Sequence, residues 1–67
     1  MQMEAVTSSN IAAVGWEDEV LRVQFNNGRT YEYQGVSEGT FHALVNARSV
    51  GQQFAATIKN QYQTQEV

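Results

Sequence analysis

From Ile11 to Val36 apolar and polar residues alternate, and beyond Val36 apolar residues recur every three or four positions, so a β half is followed by an α half. Leu21, Val23 and Phe25 share one side of a strand, with Arg22 and Gln24 on the other. Tyr31 and Tyr33 alternate against Thr30, Glu32 and Gln34 in the next. Turn-forming clusters at Glu17-Asp18-Glu19 and Asn26-Asn27-Gly28 separate three strands, the first carrying Ala12, Val14 and Trp16. The pattern predicts an antiparallel meander with one apolar and one wet face. Ile11 is out of phase in the first strand, which points to a bulge or a later start.

Register decides which loop joins the second and third strands, because directly opposed residues share a face. A two-residue Asn27-Gly28 turn sets Phe25 opposite Thr30 and Gln24 opposite Tyr31, mixing the faces. A three-residue loop with Gly28 in the left-handed bulge position closes on Phe25 and Arg29, aligning Val23 with Tyr31 and Leu21 with Tyr33. The second loop is therefore expected, and it assigns both tyrosines to the apolar face.

In the α half, Ser37 is a candidate N-cap, and Phe41, Leu44 and Val45 form the buried stripe of a short helix ending near Ala47. A second helix opens at Ser49, whose spacing to Gln52 is that of a capping box. Val50, Phe54, Ile58 and Tyr62 then recur every four residues, enough for about three turns. Residues 63–67 are polar up to the terminal Val67 and expected to fray. The expected fold is α+β: a three-stranded antiparallel meander packed on one face by two C-terminal helices (β-β-β-α-α), with room for an extra N-terminal strand over residues 3 to 7.

Size narrows the picture. Sixty-seven residues make a single domain, 1–67, with an ordered core over about 5–62, and chains this short bury too little surface for a second core. Small domains often need a staple, yet there is no cysteine, and His42 as the sole histidine does not make a common zinc site, so self-association is the expected support. No cofactor is expected. A net charge of −3 removes the electrostatic footprint of a duplex DNA binder. No apolar run approaches membrane-spanning length, and the first basic residue is Arg22, so neither a membrane segment nor a signal peptide is expected, and the cytoplasm is the expected compartment.

The order of motifs is distinctive. Ser9-x-Ile11, Val14-Gly15-Trp16, Leu21-x-Val23-x-Phe25-x-x-Gly28, Tyr31-x-Tyr33-x-x-Val36 and Ala47-x-Ser49-x-Gly51-x-x-Phe54-x-x-x-Ile58 together resemble the KTSC domain, over about residues 5 to 62. That family takes its name from the C-terminal extension of some lysyl-tRNA synthetases and includes free-standing small proteins of bacteria and their phages. The chain departs from the pattern at Trp16, where tyrosine is usual, and at Ser37, which replaces a proline. The resemblance implies a domain complete in itself, with no assigned activity; RNA binding is implied only through the link to a synthetase.

Catalysis is not expected. Ser8, Ser9 and Ser49 lack a nucleophile-elbow context, and Asp18, the sole aspartate, sits in a turn. Glu17, Asp18 and Glu19 read as solvated turn residues rather than cation ligands. Tyr31 and Tyr33 would stack bases if exposed, but register assigns them to the core. The segment Arg48-Ser49-Val50-Gly51-Gln52 combines a helix N-terminus, a glycine and a cation, the ingredients of a small anion site, with Lys59 and Arg29 as further cations; a plain capping box explains the same residues. The leading expectation is a non-enzymatic module that binds protein, either itself or a cellular partner. The alternatives are RNA or single-stranded nucleic acid on the aromatics, and a small phosphorylated ligand such as a nucleotide at the second helix start.

Overall fold

A computed structural model describes residues 1–67. Its elements are β1 (Met3–Ala5), β2 (Ile11–Glu17), β3 (Val20–Phe25), β4 (Thr30–Gln34), α1 (Glu38–Val45), α2 (Val50–Thr57) and β5 (Thr64–Glu66). The strands form one antiparallel sheet in the order β1-β2-β3-β4-β5. The meander expected from the alternation is its centre, and the sheet is five-stranded rather than three-stranded. The N-terminal strand falls within the expected span. The C-terminal one does not fray: Gln34 N–H donates to Gln63 O and Val67 N–H to Thr30 O, each at 2.9 Å, extending the β4–β5 pairing at both ends. Backbone pairing needs no apolar side chain, so a strand reading Thr-Gln-Glu leaves no periodic signal.

The central register is the one the loop argument requires. Val23 lies opposite Tyr31 and Leu21 opposite Tyr33. Phe25 N–H donates to Arg29 O at 2.8 Å and Gly28 N–H to Phe25 O at 3.0 Å, with Gly28 at φ +91, a conformation glycine adopts without steric cost. The β2–β3 hairpin turns through Asp18 and Glu19, at φ 52 and φ 64, which matches the right-handed twist of the strands. The out-of-phase Ile11 marks a bulge: Ile11 pairs with Phe25 and Ala13 with Gln24, leaving Ala12 as the extra residue. Both Ile11 and Val14 are thereby turned inward, and both are fully buried.

At the first edge, Met3 pairs with Gly15. A Cβ on Gly15 would stand 2.7 Å from Gln2 O and 2.7 Å from Met3 Sδ, so this glycine leaves room for the Gln2 carbonyl and the Met3 side chain over the sheet.

Both helices cover one face. Ser37 Oγ accepts from Thr40 N–H at 3.2 Å, and Ser49 Oγ accepts from Gln52 N–H at 3.3 Å, so both expected N-caps form. α1 ends close to its expected boundary, and α2 is shorter than its periodicity suggests. α1 ends at Val45 with Asn46 as C-cap, and α2 makes eight residues before Ile58. Lys59 N–H closes on Phe54 O, Asn60 turns left-handed at φ 63, and Tyr62 reaches the core from outside the helix. The core joins Ile11, Val14, Leu21, Val23, Tyr33 and Val36 of the sheet side to Leu44, Val50, Phe54 and Ile58 of the helical half. Phe54 is its hub, edge-on to Tyr33 at 5.5 Å and to Phe25 at 5.6 Å.

Candidate functional site

Two surfaces bear on function: the start of α2 and the helix-free face of the sheet.

At the start of α2, the turn through Ser8, Ser9 and Asn10 lies against Gly51. A Cβ there would meet Asn10 Oδ1 at 2.7 Å and Ser8 Oγ at 3.2 Å, so the glycine makes room for this turn. Ser8, Ser9, Asn10, Ser49, Gly51, Gln52 and Ala55 border one polar cleft. The two ends of the motif order, Ser9-x-Ile11 and Ala47-x-Ser49-x-Gly51, thus meet in space. Much of the polar capacity is already used. Ser8 Oγ donates to Asn10 Oδ1 at 2.9 Å and accepts from the Asn10 and Ile11 amides, while Ser49 Oγ is taken by Gln52 N–H. Arg48 borders an adjacent cleft with Ser49 and Gln52. Lys59 follows the C-cap at the far end of α2, roughly 12 Å of helix away from Arg48, and Arg29 sits in the β3–β4 hairpin. Arg48 and Lys59 therefore stand at opposite ends of α2 and do not converge.

Tyr33 is buried, and Tyr31 is partly buried, with its ring edge-on to Phe25 at 5.8 Å. Both belong to the helix-covered face, so they fill the core rather than form an open platform. Burial raises the Tyr33 pKa above its ordinary value of 10.0, with a further contribution from Tyr31. Arg29 is raised too, first by its interaction with the Tyr31 side chain and next by Glu66. Sequence periodicity did not mark this Arg29–Tyr31–Glu66 group, because Glu66 belongs to the unexpected strand β5.

The other face has no helix over it. Across its middle run Gly15, Arg22, Glu32 and Gln65, aligned by register on successive strands. Arg22 Nε and Nη2 both donate to Glu32 Oε2, at 2.9 and 2.6 Å. The two side chains remain 37% and 19% exposed, so the pair is half-buried on an open surface. Beside it Met1, Glu17, Asp18 and Val20 complete a shallow depression, and the N-terminal ammonium lies 3.2 Å from Glu17. The large apolar residues left most exposed are Met1 and Val67, the two terminal residues. His42 is exposed on α1, 3.8 Å from Glu38. No group of three or more His, Asp or Glu is gathered closely enough to hold a metal ion, and no helix is long and apolar enough to cross a membrane.

Fold and surface together define a small cysteine-free α+β domain with one sheet face under helices and the other open. The chain belongs to the KTSC domain family, which it matches over residues 7–62. It is 33% identical over 64 residues to an uncharacterized protein of Stutzerimonas stutzeri (strain A1501), covering 92% of this chain and 90% of the relative. The crystal structure of a KTSC domain protein from Yersinia pestis superimposes with a TM-score of 0.92 at 33% identity, covering 98% of this chain and 96% of the other.

Proposed function

We propose that this protein is a non-enzymatic binding module, working in the cytoplasm, that docks a protein partner, either a second copy or a cellular protein, on the open face of its sheet. The observation that supports this most is the Arg22–Glu32 pair at the centre of that face. A charge pair fixed by register on a helix-free surface is suited to setting the orientation of a partner, since complementary charges govern encounter and specificity more than raw affinity. The apolar Met1 and Val20 beside it offer contact area.

The other two readings have less support. Base stacking on Tyr31 and Tyr33 requires their ring faces in solvent, and Tyr33 is buried against Phe54. Phosphate capture at Ser49 would rely on Arg48 alone among the cations, with the Ser49 hydroxyl already accepting from Gln52.

The test is a charge swap, Arg22→Glu with Glu32→Arg, which keeps the pair and reverses its direction. Light scattering after size exclusion reads self-association, and affinity capture from the native cell, with and without ribonuclease, reads other partners. Partners held by the original chain and lost on the swap are the expected result. Equal capture by both proteins, or capture abolished by ribonuclease, would overturn the reading.

A further inference from the structure

On the helix-covered side, at the β1 edge, Gln2, Glu4, Trp16 and Phe41 border a cleft of their own. We infer that this cleft binds an organic cation, an alkylammonium or guanidinium group of the size of a lysine or arginine head. The inference goes beyond the open sheet face and does not depend on it.

Strand pairing assembles the cleft. Because Met3 lies opposite Gly15 and Glu4 opposite Val14, Glu4 takes the side of the sheet that carries Val14 and Trp16. Phe41 arrives from α1, its ring at 6.4 Å from that of Trp16 and tilted by only 22°. The indole is held in place from behind, since Trp16 Nε1–H donates to Val36 O at 2.7 Å. Both rings are only partly buried, so the aromatic wall is pre-formed and still reachable.

The charge is equally specific. The N-terminal ammonium is paired with Glu17, Arg22 with Glu32, and His42 lies beside Glu38. Glu4 has no ion-pair partner within the chain, and it is the carboxylate that borders the two rings. Ring faces carry negative potential and attract cations within about 6 Å, and a neighbouring carboxylate adds to that attraction. An anion meets the opposite field, and a neutral apolar ligand gains nothing from Glu4. The net charge of −3 favours cations at longer range as well.

Trp16 is the sole tryptophan, so its emission reports on the cleft directly. The titrants are choline, its neutral isostere 3,3-dimethylbutanol, N-acetyl-arginine amide, and a nine-residue neutral-flanked peptide carrying one arginine. Choline and the arginine amide are expected to give saturable changes at millimolar concentration, with the neutral isostere about tenfold weaker. Glu4→Gln, at an exposed position, is expected to weaken both cations about three- to fivefold. Phe41→Leu, checked for native circular dichroism, is expected to weaken them further. A peptide binding at least about tenfold tighter than the amide assigns the cation to a protein side chain; equal affinities assign it to a free small molecule. The inference is overturned if no change saturates, if choline and its isostere bind alike, or if Glu4→Gln leaves the titration unchanged. None of these outcomes bears on Arg22 or Glu32, so the sheet-face reading stands or falls separately.

Discussion

Tyr33 shows how one side chain links core packing to pH. Its ring packs edge-on against Phe54, and burial keeps its hydroxyl protonated above the usual value of 10.0. Below about pH 10 folded and unfolded chains both hold this proton. Above it the unfolded chain releases the proton while the folded chain keeps it, so stability falls as pH rises and the loss levels off past the folded pKa. Urea midpoints at pH 8 and near pH 11 should therefore drop more for the original chain than for Tyr33→Phe, which keeps the ring; equal drops would show that Tyr33 carries none of the alkaline sensitivity. The position of this residue was legible in the sequence because alternation and Gly28 together admit one register. Glu4 was not, since a three-residue strand carries too few positions to show a period.

Among the elements, the start of α2 holds the clearest conflict between local preference and packing. Alanine at position 51 gains helix propensity worth about 0.5–1 kcal/mol over glycine. Its Cβ would also press on Asn10 Oδ1, which Ser8 holds in place, and overpacking costs about 1–3 kcal/mol. Gly51→Ala is thus expected to destabilise by about 1 kcal/mol, and to cost less when Asn10→Ala has removed the nearer obstruction, with Ser8 Oγ at 3.2 Å remaining. A four-protein denaturation cycle reads this coupling. Both N-caps were legible because serine hydroxyls at helix starts leave a chemical signature. The length of α2 was not, because the four-residue period runs on through Ile58 and Tyr62 although the backbone has already turned at Asn60. Side-chain spacing records which residues face the core, not how the chain brings them there. The candidate site was half legible: Ser49 and Gly51 stood out, while their contact with Ser8 and Asn10 required the fold.

For the molecule as a whole, the two edges of the sheet are made by the shortest strands, which limits the template offered to a passing chain. Removal of residues 64–67 would expose the β4 edge from Thr30 to Gln34, with two tyrosines in five residues. Several ladder hydrogen bonds would go with it, each worth about 0.5–1.5 kcal/mol net. The shortened chain is expected to lose about 2 kcal/mol or more and to self-associate more strongly, read by urea titration and by light scattering. A shortened chain as stable and as monodisperse as the full one would show that β5 contributes little.

The β4–β5 ladder also acts as a tether. It joins the end of the meander to the end of the chain and so closes a loop that contains both helices. A disulfide across the same points would restrict the unfolded ensemble by the same closure, and this chain has no cysteine with which to make one. Hydrogen bonds supply the cross-link instead, and unlike a covalent bond they open reversibly. Release of β5 would free the helical half at one end while leaving the hairpins of β2, β3 and β4 paired, so the C-terminal strand can open without loss of the meander.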